Sequence, residues 1–256
     1  MSGTGITILL FVVGALGGAL NSVAGGGSFL AFPTMLFVGV PAVAANATTT
    51  VALWPAGLTS VAAYRSHLAE QDRRTMIVLA IASAIGGGVG AKLLLVTSDA
   101  TFTKLVPFLM LAASVVFTFG PRLSKGKGRH VPLPVGAIVQ PVIASYGGYF
   151  GGGMGILMLA TMTLMGMDHI HRMNALKVVL GLLINGVALV LFLASGKVVL
   201  GVVLPTTIGA LIGGWFGADI ARKIEPKKVR GAVLVLAWVL TAWFFVKLAR
   251  TLLASH

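Results

Sequence analysis

Apolar stretches of bilayer length follow one another along this chain with only short polar breaks, and that succession leaves few folds open. A helix needs roughly 20 apolar residues to cross a hydrocarbon core about 30 Å thick. Ten apolar segments can be drawn, at about 5–24, 29–40, 42–64, 75–96, 104–120, 133–150, 155–166, 173–195, 198–218 and 230–252. Unsatisfied backbone groups in hydrocarbon cost several kcal/mol each, so spans are helices or a closed barrel. The runs are continuous and do not alternate, which selects helices. With 57% hydrophobic and 10% charged residues and a mean hydropathy of +0.99, the chain has too little polar surface to coat a soluble globule. The expected fold is all-α: a polytopic helical membrane protein with about 8–10 membrane segments.

The basic residues then serve topology. A net charge of +13 could suggest nucleic acid, yet the cations sit in short loops and not on one polar face. Arg65, Arg73 and Arg74 fall in one loop, Arg122, Lys125, Lys127 and Arg129 in a second, Arg172 in a third, and Arg222, Lys223, Lys227, Lys228 and Arg230 in a fourth. These loops hold 13 of the 19 Lys and Arg. Placing all four in the cytoplasm puts both termini on the other side. The first apolar stretch, Ile6 to Ala24, has no basic residue before it and reads as a retained helix rather than a signal peptide. The segments at 29–40 and 155–166 are too short for an ordinary span. Each follows a glycine cluster, so each forms either a re-entrant hairpin with its predecessor or a short crossing; charge counting cannot separate the two.

The chain also repeats itself. Ala24-Gly25-Gly26-Gly27-Ser28 is answered by Phe150-Gly151-Gly152-Gly153-Met154, Asn46-Ala47 by Asn174-Ala175, and the run from Ile85 to Leu93 by the run from Ile212 to Ile220, at offsets of 126 to 128 in the same order. Five segments per copy is an odd number, so the second copy enters the membrane from the opposite side. The expected organisation is a first repeat over 1–120, a basic cytoplasmic linker over 121–131 and a second, inverted repeat over 132–256, with a site near the midplane where they meet.

These residues resemble the TauE/SafE-type sulfite exporter family of bacterial permeases. The resemblance covers essentially the whole chain. It is carried by Asn21-x-x-Ala24-Gly25-Gly26-Gly27-Ser28-x-x-x-x-Pro33, by Pro41-x-x-Ala44-x-Asn46-Ala47-Thr48, and by Gly151-Gly152-Gly153-Met154-Gly155 with Asn174-Ala175-x-Lys177. It implies a secondary transporter, an exporter of sulfite, an organosulfonate or a related organic anion, in the bacterial inner membrane. Which anion is left open, because the family is broad in substrate.

The residue chemistry permits that function. Glycines that open a short helix let the backbone approach a ligand and present amide N–H groups at the positive end of the helix dipole. On this reading Gly25, Gly26, Gly27 and Ser28, with Gly152, Gly153 and Met154 of the second copy, bind one anion from two sides. The competing reading makes the glycines close-packing contacts between helices. Lys177 lies inside an apolar segment, where a charge is costly unless it faces a partner or a wet cavity. Asn174, Lys177, Gly181 and Asn185 share one helical face, and the first-repeat counterpart of Lys177 is Thr49. Asn46, Thr49, Thr50, Asn174 and Lys177 are therefore candidate substrate-binding residues, with Tyr146 as an additional contact. Lys177 snorkelling to the interface is the competing account.

Other classes find little material. The chain has no cysteine and six acidic residues, nearly all in loops, which argues against thiolate chemistry and a membrane-embedded hydrolase. Asp168, His169, His171 and Arg172 form a compact polar loop whose histidine spacing suits a metal poorly. No Gly-Lys-Ser/Thr phosphate loop is present, so a gradient or a partner must drive transport. No catalytic residue, cofactor, metal or nucleic-acid partner is expected. The partners are a small anion and the lipid bilayer, and a homo-oligomer is compatible with the sequence. An anion channel lined by glycine-rich helix ends is the closest rival to a carrier.

Overall fold

The computed structural model describes residues 3–23, 26–63, 65–123, 131–223 and 226–253. Among the described residues the chain is all-helical. The first half carries α1 (Gly3–Val23), α2 (Ser28–Phe37), α3 (Ala42–Ala63), α4 (Arg65–Ala69), α5 (Arg73–Val96) and α6 (Asp99–Leu123). The second carries α7 (Leu133–Tyr149), α8 (Met154–Leu164), α9 (Ile170–Ala194), α10 (Leu200–Lys223) and α11 (Pro226–Leu253). The ten expected segments are thus ten helices. The addition is α4, a single turn and a half inside a polar loop, too short for an apolar period to announce it.

Five of these helices, α1, α5, α6, α9 and α11, are long and apolar enough to cross a membrane. At 22 residues α3 is also long enough, about 33 Å. Its run Asn46-Ala47-Thr48-Thr49-Thr50 lowers its hydropathy, and those polar residues are mostly buried. With 10 and 11 residues, α2 and α8 reach only about 15 Å, half of the hydrocarbon thickness.

Both short helices turn back along their predecessors. The Val131 N–H donates to the Leu164 carbonyl at 2.9 Å, so the end of α8 returns to the start of α7. In the first half the Gly27 N–H donates to Asn21 Oδ1 at 2.9 Å, and Ala31 then packs in one apolar cluster with Val13 and Leu9. Each glycine break is therefore a bend at which a short helix turns back antiparallel to its predecessor.

The long helices pair through small residues. A methyl group added at Gly14 would collide with the backbone of Thr206, and one at Gly18 with that of Ala210; Gly209 and Gly213 meet Phe11 and Ala15 in the same way. Contacts that advance together along both chains mean that α1 and α10 run in the same direction. Helices α5 and α7 do likewise, with Gly86 against Pro141 and Gly90 against Ser145. The α5 and α9 helices begin together, where Gln71 Nε2 donates to the Arg172 carbonyl at 2.8 Å, and end together, where Lys197 Nζ donates to the Leu95 carbonyl at 2.7 Å. A short turn then reverses the chain from α9 into α10. In lipid, without a hydrophobic drive between helices, such close backbone approach is what holds a bundle.

Two carboxylates fix helix starts at opposite ends of the bundle. Asp99 Oδ1 accepts from the Val43 N–H at 2.8 Å and so holds the first turn of α3. Asp72 caps α5, accepting from the Thr75 N–H at 2.8 Å and from Thr75 Oγ1 at 2.7 Å. Those two hydrogen bonds, the hydroxyl first, pull the exposed Asp72 carboxyl below the usual carboxylate range.

Candidate substrate cavity

Where α3 and α9 cross, Trp54 Nε1 donates to the Leu182 carbonyl at 2.9 Å and Gly57 lies against the Leu182 side chain. Between this crossing and the starts of α2 and α8 lies a cavity of about 370 Å³. Its size is that of a small-molecule site. Ser28, Asn46, Thr49 and Thr50 line it from the first half, and Gly153, Met154, Asn174 and Lys177 from the second. Eight of the candidate residues therefore share one cavity.

The others lie elsewhere. Gly26 packs against Val233 and Gly27 against Gly17, while Gly152 lies between Phe150 and Ala113. Tyr146 stands beside the cavity and donates its hydroxyl to the Gly152 carbonyl at 2.6 Å, bracing the bend. Gly25 lies outside the described residues, as does most of the 121–131 linker. The glycine clusters thus divide between the two readings, and several of their members pack helices together. In the polar loop His169 approaches Asp168 at 3.8 Å and His171 stacks on His67 at 5.4 Å. No group of three metal-ligating side chains occurs among the described residues.

Local backbone explains the second hairpin bend. Gly151 and Gly153 have φ of +86° and +80°, the left-handed region that a side chain disfavours. Gly153 is the residue before α8, and no side chain caps that helix. The N–H groups of Met154 and Gly155 meet no acceptor among the described residues, whereas those of Ile156 and Leu157 turn to the Gly153 carbonyl. Two amide donors are left at the positive end of α8, facing the cavity.

Lys177 stands beside them. A methyl group at Gly155 would sit 3.2 Å from Lys177 Cδ. Lys177 Nζ donates to Asn174 Oδ1 at 3.0 Å, a neutral acceptor, and no carboxylate pairs with it among the described residues. Among the described residues it is also the one charged residue on the cavity wall. Across the cavity Asn46 Nδ2 donates to the Tyr149 carbonyl at 2.9 Å, which ties α3 to the end of α7. Thr49 is 2% exposed, and its hydroxyl has no hydrogen-bond partner among the described residues.

The lining residues answer one another between the two halves of the chain. At an offset of 128, Asn46 matches Asn174, Thr49 matches Lys177, Trp54 matches Leu182 and Gly57 matches Asn185, and every member of these pairs lines the cavity. Trp54 and Asn185 are wall residues absent from the candidate set. A lone Trp in an apolar run carries no signal by itself; its step of four from Thr50 along α3 does.

A family model described as sulfite exporter TauE/SafE matches residues 10–244, nearly the whole chain. The chain belongs to the TauE/SafE family. Its relatives in that size range include a probable membrane transporter protein of Haemophilus influenzae, 28% identical over 243 residues that cover 94% of each chain. A probable membrane transporter protein, ORF9, of Sinorhizobium sp. is 27% identical and covers 89% of this chain and 88% of its own. The probable membrane transporter protein YfcA of Escherichia coli K12 is 24% identical, covering 91% and 87%. No solved structure matches the chain significantly. As a TauE/SafE protein with five helices long and apolar enough to span, this is a multi-pass membrane protein of a transporter family.

Proposed function

We propose that this TauE/SafE protein is a secondary transporter, an exporter, of a small anion such as sulfite, an organosulfonate or a related organic anion across the bacterial inner membrane. The observation that carries the reading is Lys177. Among the described residues a single ammonium, bonded to Asn174 and set beside two uncommitted amides of α8, supplies positive potential to a cavity with no carboxylate on its wall. In this reading Ser28, Asn46, Thr49, Thr50, Gly153, Met154, Asn174 and Lys177 receive the anion. The parallel pairs α1 with α10 and α5 with α7, and the two oppositely directed hairpins, support an inverted repeat of halves 1–120 and 132–256. The cavity then sits at the repeat interface, where alternating access by rocking of one helix bundle, built on α1 with α10, against the other, built on α5 with α7, would expose it to each side. Basic loops in the cytoplasm put both termini outside it. The chain carries out no chemistry on its cargo.

Counterflow in proteoliposomes tests the reading. Vesicles preloaded with unlabelled sulfite or a short alkanesulfonate are expected to accumulate labelled anion, with saturation. A flux that never saturates indicates a pore instead, and chemical conversion of the anion without movement overturns transport altogether.

A further inference from the structure

The cavity is larger than a bare oxyanion needs. A four-atom oxyanion displaces roughly two or three waters' worth of liquid, at about 30 Å³ each, which leaves most of the 370 Å³ to be filled by something else. The remaining wall is mainly apolar, with Leu53, Trp54, Met158, Leu159, Val178 and Leu182, and carries Asn21, Ser60 and Asn185 as its polar members. At its centre the Trp54 ring is held in place. Its one donor, Nε1, is committed to the Leu182 carbonyl at 2.9 Å, and Gly186 lies against the same edge of the indole. A Trp whose N–H is already satisfied offers a ligand only its apolar ring face. An oxyanion gains nothing from that surface, whereas a hydrocarbon body gains by leaving water.

From this we infer that the Trp54 wall is a subsite for the organic part of the substrate, which is an amphiphilic monoanion. Its sulfonate or carboxylate head lies at Lys177, Asn174 and the α8 amides, and an alkyl or aryl body of several carbons lies on Trp54. This rests on the anion-binding reading of the cavity and narrows its substrate class. The division of labour is chemical: the polar end confers affinity for negative charge, and the apolar end sorts anions by the size of their uncharged part.

Binding to the purified protein in nanodiscs, measured by calorimetry with sulfite and with methane-, propane-, butane- and benzenesulfonate, tests the inference. Affinity is expected to rise by about fourfold per methylene, roughly sixtyfold from methanesulfonate to butanesulfonate. In Trp54→Ala that ratio falls below about tenfold, and Trp54→Phe, which keeps a ring face without the N–H bond, restores most of it. Lys177→Ala abolishes binding of the whole series, which separates the cavity from partitioning into lipid. A flat series, or a chain-length slope that survives Trp54→Ala, overturns the subsite while leaving a small-anion carrier standing. Failure of every anion to bind removes the anion-binding reading itself, and the subsite with it.

Discussion

Thr49 and Lys177 hold matching positions in the two halves of the chain and face one cavity, the first with an unpartnered hydroxyl and the second with an ammonium bonded only to Asn174. The two matched positions differ by a charge. In the proposed transport reading the second half would supply the field that attracts an anion, and the first a neutral donor beside it.

Replacing Lys177 therefore separates charge from packing. Lys177→Met keeps most of the side-chain volume and removes the ammonium, and a hydrogen bond to a charged group contributes about 1.5–3 kcal/mol. Anion affinity is expected to fall by about 10- to 100-fold, and Lys177→Arg is expected to retain more of it than Lys177→Met does. Binding isotherms on correctly inserted protein check this; wild-type affinity in Lys177→Met would show that the lysine only snorkels.

Thr49→Val has effects of opposite sign on stability and binding. An unsatisfied buried polar group costs about 1–3 kcal/mol, and Val preserves the β-branched shape without it. The ligand-free protein should gain thermal stability, by about 1 kcal/mol or more, while saturating anion should stabilise the variant less than it stabilises wild type. Melting curves with and without sulfite or a sulfonate measure both. A variant less stable in the absence of ligand would indicate a partner for Thr49 within the protein.

Much of this arrangement is legible in the sequence, for physical reasons that apply unevenly. Lipid forces continuous apolar runs, so ten helices can be counted. Duplication marks Asn46 with Asn174 and Thr49 with Lys177, because a polar residue repeated inside an apolar run has few structural excuses. Glycine is ambiguous: Gly153 opens the cavity wall with a positive φ, whereas Gly26 and Gly152 pack against neighbours, and a run of three letters cannot distinguish them. Hairpin and crossing leave the same side for the next loop, so charge counting is blind to the return of α8 along α7 that the Val131 to Leu164 bond shows. Trp54 hides among apolar neighbours and becomes meaningful only when Leu182 takes its N–H.

Asp72 adds an acid-side sensitivity at the start of α5. Its carboxyl lies below the ordinary range because the charged form accepts from the Thr75 hydroxyl and amide. A depressed folded-state pKa means that the cap stabilises the protein above the unfolded carboxylate range and is lost as pH falls through the folded value. Melting temperature should thus fall as pH drops through and below the ordinary carboxylate range, and Asp72→Ala should be less stable at neutral pH with a shallower fall on the acid side. Parallel curves for wild type and Asp72→Ala would place the acid sensitivity elsewhere.

The glycine seams set which helices move together. Along α1 and α10 a methyl at Gly18 or Gly213 would run into the backbone of Ala210 or Ala15, where no flexible side chain can yield. Gly196 lies in the α9–α10 turn with nothing near it, though its φ of +69° disfavours a side chain. Gly18→Val and Gly213→Val should force the helices apart and cost well over 3 kcal/mol, since backbone cannot repack as a core side chain does. Gly196→Ala should cost about 1–2 kcal/mol through backbone strain alone. Size-exclusion profiles and melting temperatures of detergent extracts should accordingly show aggregated Gly18→Val and Gly213→Val, and folded, modestly destabilised Gly196→Ala. Since Gly86 and Gly90 lock α5 to α7 in the same manner, each parallel pair is expected to move as one body. Cross-linking α1 to α10 should then leave anion counterflow intact, whereas cross-linking α3 to α9 across the cavity should stop it.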